Sequence, residues 1–152
     1  MLDKNTESAF AKINFIERYK SLAVKYQFNV SESFENYESN QVVNIINELG
    51  YEASFNKKEK FFKITETHDD YKFQFNISLK YGVAEFIWSV WKNSELTIGG
   101  TWGILKEQLD GLENDKVRKP IFRNYEELKE ILADAFLIYE DFKREYMHNN
   151  EQ

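Results

Sequence analysis

The stretch that decides the fold is residues 71–92, YKFQFNISLKYGVAEFIWSVWK. From Tyr71 to Leu79 apolar residues alternate with polar ones, and a period of two is typical of a β-strand with one buried face. Tyr81-Gly82 then predicts a turn, and Val83–Lys92 predicts a second strand. Because a parallel crossover needs about a dozen residues or more, so short a connection indicates an antiparallel hairpin.

More strands are predicted on both sides of this hairpin. Tyr51–Phe55 and Phe61–Thr67 precede it, separated by the polar turn 56–59, and His68-Asp69-Asp70 forms the next turn. Leu96–Ile98 predicts a short strand after it, which Gly99–Gly103 is expected to break. The sequence therefore predicts an antiparallel meander of four or five strands.

Apolar residues at helical spacing predict helices at both ends of the chain. We expect an N-terminal helix over Ser8–Tyr26 and another over Ser39–Leu49, which Gly50 would terminate. A short helix is predicted over Ile104–Leu112, and a long one from the N-cap candidate Asn124 to about Tyr146. N-terminal helices and a long C-terminal helix packed on a meander sheet define an α+β fold.

The composition is that of one folded domain. The chain has 152 residues, of which 42% are hydrophobic and 30% charged, and no linker rich in Gly, Ser or Pro is visible. We expect a single domain over residues 1–152, with residues 147–152 as a flexible polar tail. The chain has no Cys, which excludes disulfides and thiolate chemistry. With no basic-then-apolar N-terminal pattern and no apolar run near the ~20 residues of a membrane helix, we expect a cytoplasmic protein without a membrane partner.

The formal net charge is −6. Proteins that bind polyphosphates usually need a basic surface, so we expect no nucleic-acid partner. An acidic surface steers toward basic partners. A charge of this size also keeps a small domain soluble, and that alternative stays open.

Two segments resemble chemical motifs but lack essential parts. His68-Asp69-Asp70 offers three titratable groups, yet metal sites usually gather ligands from several segments, and the other histidine, His148, lies in the expected tail. A polar turn is the simpler interpretation. Gly99–Gly103 before a helix suggests a phosphate loop, but the Lys-Ser/Thr of that motif is missing. We expect no metal and no cofactor.

No nucleophile motif is present, and we expect a protein that is not an enzyme. Paired carboxylates do occur, but their spacing is typical of solvated helix faces. They are Glu126/Glu130, Glu140/Asp141 and Asp110/Glu113. Because glycosidase-like pairs meet in space rather than in sequence, a carboxylate-dependent hydrolase remains an alternative.

Some aromatic residues do not fit the predicted core faces. Trp91 lies with Ile87 and Glu85 on the strand face opposite Phe86, and Trp102 lies in the glycine-rich bend. Trp is favoured where binding energy concentrates at interfaces, so this second sheet face is a candidate docking surface. The alternative is that a second helix covers it.

The segments Gly99–Gly103 and Pro120–Leu128 resemble small immunity proteins of bacterial polymorphic-toxin systems, such as those of contact-dependent growth inhibition. The resemblance covers mainly Glu95–Tyr146. It implies a stoichiometric inhibitor that binds the C-terminal domain of a cognate toxin, often a nuclease with a basic groove. It transfers no catalytic and no contact residue. A non-enzymatic adaptor of a mobile element is the second hypothesis.

The acidic and aromatic residues outside the predicted core are our candidates for contact with a basic protein partner. They are Glu66, Asp69, Asp70, Glu85, Trp91, Glu95, Trp102, Asp110 and Glu113.

Overall fold

The structure, a computed structural model, describes residues 2–150 and confirms the α+β fold. Along these residues, three α-helices precede the five strands of a meander sheet and two α-helices follow them. The elements are α1 (Lys4–Lys12), α2 (Phe15–Lys25), α3 (Ser39–Glu48), β1 (Ser54–Asn56), β2 (Phe61–His68), β3 (Tyr71–Ser78), β4 (Glu85–Lys92), β5 (Glu95–Thr101), α4 (Trp102–Asp110) and α5 (Tyr125–Asn150).

The sheet is antiparallel throughout, in the order β1-β2-β3-β4-β5. Phe75 of β3 lies opposite Ile64 of β2 and Trp88 of β4, which brings large apolar side chains into one row. Asn93 and Ser94 connect β4 to β5 with φ angles of 52° and 69°. Positive φ at both central residues matches the twist of the strands, and such a turn forms a tight hairpin.

The two faces of the sheet differ as the alternation in β3 predicts. Phe73, Phe75 and Ile77 are fully buried, whereas the intervening Lys72, Gln74 and Asn76 are exposed or half-buried. The helices pack on the buried face, which we call the inner face. Phe142 of α5 stacks on Trp88 with ring centroids 4.5 Å apart, and Phe10 of α1 lies 5.0 Å from Phe142.

The opposite, outer face is open to solvent. Ile87, Ser89 and Trp91 of β4 are half-buried, and Thr65 and Thr67 of β2 are exposed. A helix packed on this face would bury its central side chains as completely as those of the inner face. The alternative in which a second helix covers this face is therefore wrong.

β5 is longer than predicted. We expected Gly99–Gly103 to break a short strand, but Gly99 and Gly100 stay paired with Ser89 and Trp88. Strand pairing uses backbone groups, so it does not need side chains at these positions. At Gly100 the missing Cβ also makes room for the next helix, since a Cβ there would lie 3.3 Å from Ile104.

The N-terminal helix predicted over residues 8–26 is two helices. The break falls at Asn14, whose φ of 58° is left-handed. Asn adopts this conformation more readily than most residues, and it changes the direction of the chain. Because Ile13 and Phe15 are both buried, the apolar pattern continues across the break and conceals it.

α5 extends further than predicted. The expected flexible tail began at residue 147, but residues 147–150 are helical and Asn149 is buried. Its side chain donates to the carbonyl of Asn5 (3.1 Å) and accepts from Lys12 (3.3 Å). Glu151 and Gln152, also assigned to that tail, lie outside the described residues. Within residues 2–150, no helix has the length and apolar character needed to cross a membrane.

Candidate functional site

Three of the candidate acids meet at one end of the sheet. The β2–β3 turn carries Asp69 and Asp70, and the β4–β5 turn lies beside it, because the amide of Asn93 donates to the carbonyl of Asp70 (2.9 Å). Glu95 follows the second turn directly and begins β5. The three carboxylates are exposed and border the same edge of the molecule.

Next to these acids, the outer face presents an apolar pair. Trp91 of β4 lies opposite Lys72 on one side and Leu96 on the other. Trp91 is half-buried, with Lys72 Nζ 4.9 Å from its ring centroid, and Leu96 is 56% exposed. We call Asp69, Asp70, Trp91, Glu95 and Leu96 together the turn-end surface.

Leu96 was not among the residues that the sequence singled out. It alternates with Ile98, which predicts that both face the core. The register of β4 and β5 shifts between Val90 and Trp91, so that Ile98 pairs with Val90 while Leu96 pairs with Trp91. This bulge places Leu96 on the outer face, and a bulge leaves no clear mark in a single sequence.

The carboxylates of the turn-end surface are available to a partner. Within residues 2–150, none of Asp69, Asp70 and Glu95 forms an ion pair. Two lysines at this end of the sheet lie against aromatic rings: Lys72 on Trp91, and Lys92, which pairs with Glu95 in the register, with Nζ 5.3 Å from the ring centroid of Tyr71. A basic partner would therefore meet carboxylates that no described side chain neutralises.

Glu66 serves the fold rather than this surface. Its carboxylate accepts from Lys143 (2.6 Å), whose side chain is only 6% exposed and also pairs with Glu140 (2.9 Å). Burial opposes ionisation of Glu140, but hydrogen bonds from Tyr51 (2.5 Å) and Lys143 outweigh it, so that the pKa of Glu140 lies below its ordinary value. The network fastens β2 to α5.

The remaining candidates lie at the other end of β4. An extended strand rises about 3.4 Å per residue, so the eight residues Glu85–Lys92 separate the two ends by about 24 Å. Glu85 pairs with Lys119 (2.7 Å), and Asp110 pairs with Lys106 (2.7 Å). Glu113 is exposed in the loop after α4.

Trp102 is a core residue. We expected it to lie off the core in a flexible bend, and this expectation is wrong: it is 1% exposed. Its ring lies 4.6 Å from Phe86 and 5.2 Å from Trp88. α4 begins at Trp102, directly after β5, and the Trp102 side chain packs on the inner face of the sheet. Trp102 is therefore not available to a protein partner on the surface.

Beside Trp102, a cleft of about 250 Å³ opens between the start of α4, the start of β4 and residues 115–119, and we call it the α4 cleft. Tyr19 and Glu85 line it, and burial followed by the charge of Glu85 raises the pKa of Tyr19 to about 12. Lys106, almost fully buried, lies between Asp110 and Asp115. Burial lowers its pKa, but its hydrogen bonds to these two carboxylates raise it more, and the net pKa lies above the ordinary value.

The residues considered for metal binding and hydrolysis are exposed or contact other side chains. Among the described residues, no group of three or more His, Asp or Glu side chains is placed to hold a metal ion. His68 and Asp69 lie exposed in the β2–β3 turn region. Two members of the carboxylate pairs contact other elements. Glu130 accepts a hydrogen bond from Tyr26 at the C-terminus of α2 (2.8 Å), and Asp141 pairs with Arg18 in α2 (2.8 Å), so both join α5 to α2.

Comparisons of the chain with models of protein families, with curated proteins and with solved structures found no match. What the turn-end surface can do follows from its own geometry. Trp91 and Leu96 provide an apolar centre, and Trp is among the residues that carry the most binding energy at interfaces. Asp69, Asp70 and Glu95 lie at the same end of the sheet and form no ion pair within residues 2–150, although Glu95 pairs with Lys92 in the register and projects to the side opposite Leu96. These acids favour a basic partner. The arrangement suits the binding of a protein.

Proposed function

We propose that the chain is an immunity protein that binds and neutralises the C-terminal domain of a cognate toxin in the cytoplasm. The turn-end surface makes the contact, and the toxin presents a basic surface such as a nuclease groove. One observation carries this proposal: Trp91 and Leu96 lie on an open sheet face, at the end of the sheet that also carries three carboxylates without ion pairs within residues 2–150.

The apolar pair and the acids have different roles in this proposal. Burial of Trp91 and of Leu96, which is 56% exposed, supplies affinity once a partner excludes water. The carboxylates of Asp69, Asp70 and Glu95 raise the association rate and select a basic partner. Acids at the same end of the sheet as an apolar centre therefore fit an inhibitor that must bind its toxin quickly.

The distribution of charge over the molecule supports the same interpretation. α5 contains seven acidic and three basic residues, a net charge of −4 out of −6 for the chain. This field extends over about one Debye length, roughly 8 Å at physiological salt, and attracts basic proteins to the molecule, but it lies on the helical side and does not locate the contact. The resemblance of Glu95–Tyr146 to immunity proteins supports the identity of the partner.

Co-expression tests the proposal. The chain is produced together with the product of the gene directly upstream of its own, whose C-terminal domain is first tested alone for toxicity. We expect protection of the host and co-purification of the two proteins. A toxic upstream product that the chain neither binds nor counteracts would overturn the proposal. A bound partner that is harmless on its own would favour the adaptor hypothesis instead.

Charge reversal locates the contact. We expect the triple variant Asp69→Lys, Asp70→Lys, Glu95→Lys to lose protection and to bind much more slowly. A matched control reverses Glu35, Glu52 and Glu59, which are also exposed acids, lie away from the turn-end surface and change the net charge equally. If both triple variants lose binding equally, net charge rather than this surface recognises the partner.

A further inference from the structure

The α4 cleft contains a tyrosine hydroxyl for which no described residue supplies a hydrogen-bond partner. Tyr19 is 4% exposed and lines the cleft, yet its hydroxyl makes no hydrogen bond within residues 2–150. The hydroxyls of Tyr26, Tyr51 and Tyr146 all have partners. Unlike the sealed polar atoms that lack a partner, this oxygen is open to the cleft, so a molecule in the cleft can bond to it.

Two fully buried tyrosine hydroxyls lack a partner among the described residues, but they differ from Tyr19. The hydroxyls of Tyr71 and Tyr139 are sealed in the interior and do not line the α4 cleft. Phenylalanine would fill the Tyr19 position equally well as far as the fold is concerned. Its hydroxyl is therefore placed where a molecule entering the cleft can reach it.

The same cleft contains the N-terminus of α4. Thr101, Trp102 and Gly103 line it, and a Cβ on Gly103 would lie 4.0 Å from the Tyr19 hydroxyl. The Thr101 side chain caps only the amide of Ile104 (3.2 Å). The first amides of a helix lack acceptors within the helix and carry partial positive charge, which favours an anion beside them.

The acids that line the cleft are mostly neutralised. Glu85 pairs with Lys119 (2.7 Å), and Asp115 pairs with Lys20 (3.1 Å) and Lys106 (3.2 Å). Two lining charges have no ion pair within residues 2–150, those of Lys116 and Glu107. Glu107 lies about 7.5 Å from Trp102 along the helix axis. The end of the cleft at Gly103 is therefore farther from this carboxylate and more favourable for a bound anion than the end at Glu107.

We propose that the α4 cleft binds a small oxyanion, the carboxylate or phosphate group of a small molecule. The Tyr19 hydroxyl and the amides of Trp102 and Gly103 donate hydrogen bonds to it, and Lys116 supplies positive charge. At about 250 Å³ the cleft is below the usual ~300–1,000 Å³ of sites for drug-sized ligands, so the ligand is small. The site is independent of the turn-end surface and of the function proposed for it.

Tyr19 keeps the proton that it must donate. Its pKa is raised to about 12 by burial and by Glu85, so the phenol is neutral at physiological pH. A neutral phenol donates a hydrogen bond to an oxyanion without adding charge. Hydrogen bonds to ionised groups are the stronger ones, which allows one hydroxyl to contribute substantially to affinity.

Nuclear magnetic resonance tests the site through the backbone amide of Gly103. The intact chain is titrated with inorganic phosphate and, separately, with acetate, to about 50 mM, which detects millimolar binding. Sodium chloride at equal ionic strength is the control. We expect a saturable shift of the Gly103 resonance with at least one oxyanion and not with chloride. A response to phosphate alone identifies a phosphate-bearing ligand, and a response to acetate alone identifies a carboxylate.

Two variants connect the shift to the cleft. Tyr19→Phe should weaken binding about tenfold or more, the order expected for one lost hydrogen bond to a charged group. Gly103→Ala should also weaken it, because the added methyl group fits without a clash but stands in front of the hydroxyl. Tyr26→Phe, which removes a hydroxyl outside the cleft, should bind as the parent does.

Several results would overturn the proposal. They are no saturable shift at Gly103 with either oxyanion, or equal binding by the parent and by Tyr19→Phe. We expect Tyr19→Phe to unfold at the same temperature as the parent, because the Tyr19 hydroxyl bonds to none of the residues 2–150. If Tyr19→Phe is less stable than the parent, the Tyr19 hydroxyl stabilises the folded protein. The premise that this hydroxyl is free for a ligand is then wrong, whatever Gly103→Ala shows.

Discussion

Trp88 and Trp102 are each 1% exposed, whereas Trp91 is half-buried on the open outer face. Residues three apart in a strand point to opposite faces. The alternation of β4 therefore identifies Trp91 as the outward residue, because Trp88 points inward. No comparable pattern surrounds Trp102, because it stands at the junction of β5 and α4, where a period of two gives way to one of 3.6. Adjacent glycines made the junction resemble a loop.

Substitution of the two tryptophans should separate these roles. Trp102→Ala removes a ring that packs against Phe86 and Phe15, and we expect it to lower the unfolding free energy by about 3–5 kcal/mol. Trp91→Ala should lower it by less than about 1 kcal/mol, since most surface substitutions are mild. Urea denaturation followed by circular dichroism measures both. Equal losses would mean that Trp91 is also a core residue.

At the scale of elements, β3 was the most predictable part of the fold. Its alternation of buried and solvent-facing residues is confirmed, because each inward residue is apolar and each outward one polar. The break at Asn14 and the end of α5 were not predictable. Asn14 is conformationally unusual but compositionally ordinary, and Asn149 is buried by contacts with residues near the other end of the chain.

The start of α5 shows a capping arrangement that can be tested. Asn124 Oδ1 accepts from the amide of Glu127 (2.8 Å), and the Glu127 carboxylate accepts from the amide (2.9 Å) and guanidinium of Arg123. We expect Asn124→Ala to lower the unfolding free energy by about 1 kcal/mol, the usual cost of a lost N-cap. Asn124→Asp should retain the cap and serves as the control in thermal and urea unfolding. A loss of equal size in both variants would mean that the cap is not the cause.

At the scale of the whole molecule, one side is an open sheet face and the other is a helical layer whose longest helix, α5, has a net charge of −4. The class of fold and the presence of acids in the β2–β3 turn could be predicted from the sequence. The grouping of Asp69 and Asp70 with Glu95 could not, because it depends on strand order and on the bulge that brings Leu96 to the outer face. The α4 cleft joins residues from four segments of the chain, which a single sequence does not reveal.

The tyrosines of this core predict how the whole molecule responds to alkali. Burial, together with Glu85 for Tyr19 and Glu66 for Tyr139, raises the pKa of both phenols above the ordinary value of about 10. The folded state therefore retains protons that the unfolded state loses above about pH 10. We expect the unfolding free energy to be unaffected by these groups below pH 10 and to fall above it, by up to about 1.4 kcal/mol per pH unit for each.

Urea denaturation between about pH 8 and pH 12 measures this slope, and the ultraviolet absorbance of tyrosinate reports ionisation. Tyr19→Phe should make the fall of the unfolding free energy shallower between pH 10 and pH 12, the window set by the pKa of Tyr19. The slope should decrease by about 1.4 kcal/mol per pH unit, which corresponds to one proton. Tyr81→Phe removes the hydroxyl of a 71% exposed side chain and is the matched control. An unchanged slope in Tyr19→Phe would contradict a buried, neutral phenol at this position. Such a result would also contradict the role of the Tyr19 hydroxyl as a hydrogen-bond donor to an oxyanion in the α4 cleft.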